Sequence, residues 1–258
     1  MNLGIAGRKA IVCASSRGLG KACARALAEA GCEVVINGRD AKKLEAAASE
    51  LSVASVKVIP VVADVATSDG QKALLAACPQ PDILINNNAG PPMRDFRELT
   101  RQQMLDGVVA NMVVAIELIQ KVIDPMCERK FGRIVNITSG SVKMPLAGLD
   151  LSSGARAGLT AFLAGVARKV AEKNVTINNI LPGAFDTDRL RSTLSKTAEQ
   201  TGKSEAEVAA ARMAGIPAKR FGNADEFGAA CAFLCSAQAG YITGQNLLID
   251  GGTFNGAF

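Results

Sequence analysis

The 258-residue sequence contains no histidine and no tryptophan, and its single tyrosine is Tyr241. Histidine is the side chain that most often donates or accepts a proton near neutral pH, so the commonest general acid is missing. The seven cysteines show no C-x-x-C pair and no Cys/His spacing, and several lie in apolar strand or helix patterns. We therefore predict no metal site and a reduced, cytoplasmic location.

Long apolar segments, basic blocks, repeats and interdomain linkers are also missing. No stretch approaches the length of a membrane span, and the N-terminus lacks a charged-then-apolar signal pattern. The net charge of +5 is spread along the chain without interleaved aromatic residues, which disfavours nucleic-acid binding and suits anionic ligands. A hydrophobic content of 48% over this length can form one core. We predict a single domain over residues 1–258, with neither a membrane nor a nucleic-acid partner.

The first strand and helix patterns enclose a turn of small residues. The apolar run Ala10–Cys13 leads into Ala14–Gly20, and a helical pattern of apolar residues follows. In such a turn, backbone N–H groups and the helix dipole face a pyrophosphate. A glycine turn that only closes a βα unit is the alternative interpretation. Strands alternate with helices throughout, which predicts an α/β fold with a Rossmann-type doubly wound parallel sheet flanked by helices on both faces.

Two later strands end in polar residues. One strand runs into the turn Asn86–Gly90, and Gly132–Ser139 ends in hydroxyl side chains. The carboxyl ends of parallel strands line one crevice, where ligands of such sheets bind. Gly18, Asn88 and Ser139 are therefore predicted to converge on that crevice.

With these motifs in this order, the sequence resembles the short-chain dehydrogenase/reductase family, most closely its 3-oxoacyl carrier-protein reductase branch. The resemblance extends from Arg8 to the C-terminal segment Tyr241–Gly252. It implies that Asp64 lies by the adenine and that Thr187 contacts the nicotinamide carboxamide. The predicted cofactor-binding residues are Ala14, Ser15, Ser16, Arg17, Gly18, Leu19, Gly20, Arg39, Asp64, Val65, Asn88, Ala89, Gly90, Arg156, Pro182, Gly183 and Thr187.

The end of the second strand decides between the two nicotinamide cofactors. An acidic residue there would accept hydrogen bonds from the ribose 2′-hydroxyl of NAD, whereas basic residues accommodate a 2′-phosphate. Here Gly38 and Arg39 follow the strand, and Arg17 lies in the first turn. Asp40 is interpreted as the N-cap of the next helix. The predicted cofactor is NADP(H).

The resemblance also implies the catalytic residues. Ser139 matches the serine that polarises the substrate carbonyl, and Asn111 matches an asparagine that supports a proton-relay water. The family's Tyr-x-x-x-Lys, however, reads Ser152 and Arg156, with the register set by the following segment Ala157–Phe162. We predict Asn111, Ser139, Ser152 and Arg156 as the catalytic set, with Arg156 anchoring the cofactor ribose.

This substitution removes the expected proton donor. Leu149 and Asp150 occupy the positions where the enoyl-reductase branch places a shifted tyrosine. A serine hydroxyl is a poor acid, and a guanidinium does not deprotonate in proteins. A positioned acid is worth roughly 10²–10⁴-fold in rate. A loop aspartate is a further candidate acid, although solvated or capping aspartates are the favoured interpretation of Asp150, Asp186 and Asp188.

Three explanations stay open. The proton can come through water or from the substrate, the substrate can be an already protonated imine, or the protein can bind cofactor without turnover as a sensor or assembly partner. We predict an NADP(H)-dependent oxidoreductase that reduces a 3-oxoacyl-type carbonyl or a small ketone. An imine reductase and a catalytically weak NADP-binding sensor are the alternatives.

Residues 186–220 match the family's substrate lid. Helical patterns cover Ser192–Gln200 and Glu205–Met213, and their apolar residues suit either a substrate lining or helix packing. The substrate is predicted to be a small carbonyl or imine compound, with an acyl-carrier-bound form as one option. The resemblance and the apolar content of residues 108–119 also predict a homotetramer.

Overall fold

The protein is described by a computed structural model over residues 2–52 and 56–256. Its seven strands form one parallel sheet in the order β3-β2-β1-β4-β5-β6-β7. The strands are β1 (Lys9–Val12), β2 (Glu33–Gly38), β3 (Val58–Val62), β4 (Ile83–Asn86), β5 (Gly132–Ile137), β6 (Val175–Pro182) and β7 (Asn246–Ile249). The helices are α1 (Gly18–Glu29), α2 (Ala41–Leu51), α3 (Ser68–Ala77), α4 (Arg101–Val108), α5 (Val114–Glu128), α6 (Asp150–Val170), α7 (Asp188–Thr201), α8 (Glu205–Ala214) and α9 (Ala224–Cys235).

Apolar side chains alternate between the two faces of the sheet and build a core on each. Val12 on β1 belongs to the core with Leu27 of α1 and Phe227 of α9. Its neighbour Ile11 faces the other core, which contains Leu118 of α5. Because helices cover both faces, the central strands are buried, as parallel sheets require. This confirms the predicted Rossmann-type α/β fold.

The chain order places a crevice at the carboxyl ends of β1 and β4. From β1 the chain moves outward through β2 to β3 and then returns to form β4 on the other side of β1. Helices that follow strands on opposite sides of this reversal separate there, which opens space above the sheet edge. The residues after β1, β4 and β5 therefore surround one site.

Asparagine side chains connect four neighbouring strands. Asn86, Asn136, Asn179 and Asn246 lie directly opposite one another in the β4–β5–β6–β7 register. Each Nδ2 donates to the Oδ1 of the next asparagine, at 2.9, 3.0 and 2.8 Å. Asn136 Nδ2 also donates to the Asn178 carbonyl oxygen at 3.3 Å, which fixes the direction of these bonds. We call this row the asparagine ladder.

The segment between β6 and α9 begins and ends at one short pairing. Phe185 and Gly222 form an isolated parallel bridge, and the Asp186 N–H donates to the Gly222 carbonyl at 2.9 Å. Helices α7 and α8 lie between these residues, joined at Gly202, whose φ of +68° ends α7. Both predicted helices of residues 186–220 are present. Helix α7 buries apolar side chains, whereas α8 buries no residue.

Across residues 2–52 and 56–256, no helix is both long enough and apolar enough to cross a membrane.

Replacing Asn136 with alanine is expected to destabilise the fold by about 2–6 kcal/mol. Asn136 is 1% exposed, and its loss leaves Asn86 Nδ2 and Asn179 Oδ1 without these partners, at roughly 1–3 kcal/mol for each buried polar group. Urea unfolding at fixed protein concentration measures the change. Asn246→Ala at the exposed end of the ladder is the control and should cost roughly half as much, because only Asn179 Nδ2 loses its partner. Equal losses in the two variants would contradict the structural role of the ladder.

Candidate active site

The turn after β1 presents backbone donors to the crevice. Helix α1 begins at Gly18, and its N-cap Arg17 is extended, with no side-chain hydrogen bond to the first turn. The first N–H groups of the helix are therefore open to a ligand, and the helix dipole favours an anionic one. Ala14 has a φ of +46° and Gly18 a φ of +57°. The backbone thus bends sharply at both ends of the turn.

Two buried side chains hold this turn against the second and third strands. Ser15 Oγ donates to the Val12 carbonyl at 2.7 Å and accepts from the Asn37 N–H at 2.9 Å. Asn37 Oδ1 accepts from the Ala14 N–H, while its Nδ2 donates to the Val61 and Ala63 carbonyls. Asn37 therefore connects the ends of β1, β2 and β3. Sequence reasoning missed this role, although a buried asparagine at a strand end is a signal for it.

Gly20 lets α1 approach the turn closely. A Cβ at Gly20 would lie 2.4 Å from the Ala14 carbonyl oxygen and 2.9 Å from Asn87 Nδ2. Asn87 Nδ2 donates to that same carbonyl at 3.1 Å. Every residue larger than glycine would collide with this contact.

The three consecutive asparagines after β4 have different partners. Asn86 begins the asparagine ladder and Asn87 binds the turn after β1, whereas Asn88 Nδ2 donates to the Ala110 carbonyl at 3.2 Å. Asn88 was predicted to face the cofactor, and its side chain connects the crevice to the segment after α4. The three asparagines therefore connect the end of β4 to β5, to the turn after β1 and to the segment after α4.

Two exposed arginines, Arg17 after β1 and Arg39 after β2, lie at the outer end of the crevice. The side chains of Arg17 and Arg39 are 66% and 73% exposed. Arg39 lies 3.6 Å from an Asp64 oxygen, and Arg17 lies 3.7 Å from an Asp188 oxygen. Asp40 instead caps α2: its Oδ1 accepts from the Lys43 N–H, and this bond holds the pKa of Asp40 below its usual value.

Ser139 lies immediately beyond β5 with its hydroxyl hydrogen available. Its Oγ accepts hydrogen bonds from the backbone N–H and the hydroxyl of Ser141, at 3.1 and 2.9 Å. A hydroxyl that accepts twice can still donate once. Ser139 can therefore donate to a carbonyl oxygen in the crevice.

Asn111 lies in a π-helical turn, Val109–Val113, between α4 and α5. Its Nδ2 donates to the Gly107 carbonyl at 3.0 Å, but its buried Oδ1 has no hydrogen-bond partner. The Oδ1 of Asn86 is also buried without a partner, and both residues line one cavity with Arg156. The cavity has a volume of about 20 Å³, which is enough for about one water molecule. This arrangement suits the water that Asn111 was predicted to support.

Ser152 and Arg156 contact each other on α6. Arg156 Nε donates to Ser152 Oγ at 3.2 Å, and Arg156 Nη1 donates to the Ile137 and Thr138 carbonyls at 2.8 and 3.1 Å. Arg156 is only 8% exposed. Burial, reinforced by the charge of Arg189, lowers the pKa of Arg156 to about 10. Arg156 therefore stays protonated at neutral pH and cannot relay a proton. Its Nε and Nη1 form the hydrogen bonds described above, and its Nη2 takes part in none of them.

The other candidate acids have local roles or lie on the surface. Tyr241 is fully exposed between α9 and β7. Asp150 accepts from the Gly148 N–H, Asp186 accepts from Arg191, and Asp188 pairs with Arg17. The aspartates thus cap loops or pair with arginines.

The chain is similar to known reductases in sequence and in overall fold. A family model described as enoyl-(acyl carrier protein) reductase matches residues 13–253. The NADPH-dependent reductase BacG of Bacillus subtilis (strain 168) is 31% identical over 256 residues, covering 95% of this chain and 97% of that protein. The 3-oxoacyl-[acyl-carrier-protein] reductase FabG of Escherichia coli (strain K12) is 30% identical over 249 residues, covering 96% and 98%. L-sorbose reductase from Gluconobacter frateurii, solved with NADPH and L-sorbose, matches with a TM-score of 0.93 at 28% identity, covering 99% of this chain and 100% of that chain.

Two opposite substitutions test the turn. Gly20→Ala is expected to lower the free energy of unfolding by about 3 kcal/mol, because its Cβ would overlap a backbone carbonyl. Ala14→Gly in the same turn is expected to be neutral or stabilising by up to about 1 kcal/mol. It relieves a left-handed alanine and adds chain entropy to the unfolded state. Urea unfolding of both variants checks the pair; a Gly20→Ala protein as stable as the parent would be inconsistent with this close contact.

Proposed function

The chain belongs to the short-chain dehydrogenase/reductase family, and from this premise we propose that it reduces a carbonyl group by hydride transfer from NADPH. The observation that carries the proposal is the shared crevice. The anion-binding turn after β1 and the free hydroxyl donor of Ser139 after β5 open onto the same edge of the sheet. A hydride donor and a carbonyl oxygen can therefore be held side by side.

NADP(H) fits the residues present. The open N–H groups at the start of α1 suit a diphosphate, and the exposed guanidinium groups of Arg17 and Arg39 suit a 2′-phosphate. The family resemblance places Thr187 at the nicotinamide carboxamide. In the structure Thr187 lies beside Gly18, because a Cβ built on Gly18 would be 3.8 Å from Thr187 Cγ2. When bound, NADPH supplies the hydride. Asp64, Val65 and residues 88–90 complete the proposed cofactor site.

Ser139 and Arg156 would stabilise charge without donating the catalytic proton. Hydride addition moves the carbonyl π electrons onto oxygen, and the Ser139 hydroxyl can donate to that oxygen as its charge develops. The buried guanidinium of Arg156 adds a fixed positive charge next to β5. The proton would come from water, for which Asn86 and Asn111 offer two acceptor oxygens. Ordinary ketones should therefore react slowly for this family, by roughly the 10²–10⁴-fold that a positioned acid supplies.

The lack of a proton-donating side chain favours imine reduction as a second candidate function. An iminium substrate carries its proton already and needs only the hydride, so a site in which Ser152 and Arg156 are bound to each other would suit imine reduction. A weakly active NADP-binding sensor is the remaining alternative, and it would bind NADPH without turnover.

The proposal also covers the type of carbonyl substrate, the oligomeric state and the lid. A 3-oxoacyl thioester is supported by the similarity to FabG, and a homotetramer by apolar residues left exposed on α4 and the π-turn. These residues are Met104, Leu105, Val108 and Val109. Helices α7 and α8 are proposed to act as the lid.

Removing the Ser139 hydroxyl is expected to reduce turnover by at least about 10²-fold, the usual effect of losing one donor to a developing oxyanion. NADPH oxidation is followed at 340 nm with β-ketoacyl thioesters, small ketones, oxo acids and cyclic imines for the parent and for Ser139→Ala. Ser153→Ala is the control, because its hydroxyl donates only to the Leu149 carbonyl. Turnover of one class by the parent and the control but not by Ser139→Ala supports the proposal. NADPH binding without oxidation of any class would favour the sensor.

Arg39→Gln is expected to weaken NADPH binding by about 10–100-fold and to leave NADH binding unchanged. A charge-assisted hydrogen bond to phosphate is worth about 1.5–3 kcal/mol, and only NADPH carries the 2′-phosphate. Fluorescence titration with both dinucleotides measures the difference. Arg25→Gln is the matched control, because Arg25 faces Glu50 and Asp225 on the exposed side of α1. Equal weakening of NADH and NADPH would exclude a 2′-phosphate contact.

A further inference from the structure

Two guanidinium groups from different helices meet beside Gly90. Arg156 comes from the middle of α6, and Arg189 comes from the first turn of α7. A Cβ at Gly90 would lie 3.1 Å from both Arg189 Nη1 and Nη2, and 3.5 Å from Arg156 Nη2. Two positive charges therefore approach one point at the mouth of the site.

Neither charge has a carboxylate partner within residues 2–52 and 56–256. Arg156 donates only to backbone carbonyls and to Ser152. Arg189 forms no ion pair and donates no side-chain hydrogen bond in this part of the chain. The adjacent acids are engaged elsewhere, Asp186 with Arg191 and Asp188 with Arg17. Two like charges placed together repel, and here nothing of opposite sign in the described chain offsets that cost.

Gly90 keeps the space between the two arginines open. Its φ lies outside the left-handed region, so the backbone there does not require glycine. Any larger side chain would occupy the point that both guanidinium groups approach. Because both guanidinium groups lie within 3.5 Å of that position, a carboxylate in front of Gly90 can reach both of them with its two oxygens.

The position of this point indicates which ligand reaches it. Gly90 follows β4, which lies between β1 with the diphosphate turn and β5 with Ser139. Arg156 binds the Ile137 and Thr138 carbonyls, directly before Ser139. Gly90 is thus one strand away from both places, and it is the contact of Arg156 with the end of β5 that puts the paired guanidinium groups beside the proposed carbonyl position.

We infer that Arg156, instead of anchoring the cofactor ribose, joins Arg189 in binding a carboxylate of the substrate, so that the protein reduces an oxo acid rather than a neutral ketone. This inference rests on the proposed function and names its substrate class. A carboxylate can accept from both guanidinium groups at once and would neutralise their repulsion. The same charges would hold the reacting carbonyl near Ser139 while leaving Ser152 out of the proton transfer.

The test compares acids with their neutral analogues. NADPH oxidation is measured with a series of 2-oxo and 3-oxo acids and with their methyl esters, for the parent, Arg189→Gln and Arg191→Gln. Loss of one charge-assisted contact should raise KM for the acids by about 10–100-fold and leave KM for the esters and the Kd of NADPH unchanged. Arg191→Gln is the matched control on the same helix, because its guanidinium pairs with Asp186, and it should change none of these values.

A binding measurement separates this inference from the proposed function. Calorimetry of the NADP⁺-saturated protein uses malonate and, as its neutral analogue, malonamide. Malonate binding that is lost in Arg189→Gln supports the carboxylate site even if no oxo acid is reduced, in which case the proposed reduction fails alone. Reduction of neutral ketones with acid and ester kinetics unaffected by Arg189→Gln overturns the inference and leaves the proposed function intact. Weaker NADPH binding in Arg189→Gln, with acids and esters affected alike, would assign the arginines to the cofactor diphosphate and also overturn it.

Discussion

Asparagine amides at the carboxyl ends of β2, β4 and β5 hold together the strands that carry the site. An edge that carries a binding crevice cannot be covered by helices, and its polar groups still need partners. Asn37 joins the ends of β1, β2 and β3, and the asparagine ladder joins β4 to β7. The glycine turn, Gly90 and Ser139 all follow strands whose ends these amides hold in register. Rigid strand ends let short loops place reacting groups accurately.

Arg156 has a different effect from the lysine that the family resemblance implies at this position. A guanidinium offers several donors in a fixed plane, and here three of its bonds go to two backbone carbonyls and to Ser152. Those bonds offset part of the cost of burying the charge, and burial still leaves the pKa at about 10. The charge is therefore permanent in the neutral range. Such a residue can stabilise an oxyanion or bind an anion, but it cannot exchange protons during turnover.

The fold and the outline of the site follow from local patterns, whereas the decisive contacts depend on tertiary packing. Apolar periodicity and the small-residue turn predicted the sheet, the crevice and Asp40 as a helix cap. The spacing of Ser152 and Arg156 by four residues on a helix makes their contact foreseeable. The π-turn around Asn111 has no clear sequence signal, since it differs from an α-helix only in its hydrogen bonds. Arg189 reaches Gly90 because the first turn of α7 lies beside the crevice, and the sequence pattern of a helix does not tell where in the fold that helix packs.

The arginines at the outer end of the crevice have aspartate partners, whereas those at the inner end have none in the described chain. This difference suits a cofactor phosphate at the outer end and a substrate carboxylate at the inner end. At the outer end, the exposed Arg17 and Arg39 lie 3.7 and 3.6 Å from aspartate oxygens. Exposed pairs of this kind are weak, so a phosphate can replace the aspartates at little cost. At the inner end, Arg156 and Arg189 share one point with no acid beside them in the described chain. The outer arginines can thus exchange one anion for another, while the inner pair is relieved only when an anion arrives. Because Thr187 lies at Gly18 and Arg189 lies at Gly90, the first turn of α7 contacts both ends of the crevice and is the segment that both anions would meet.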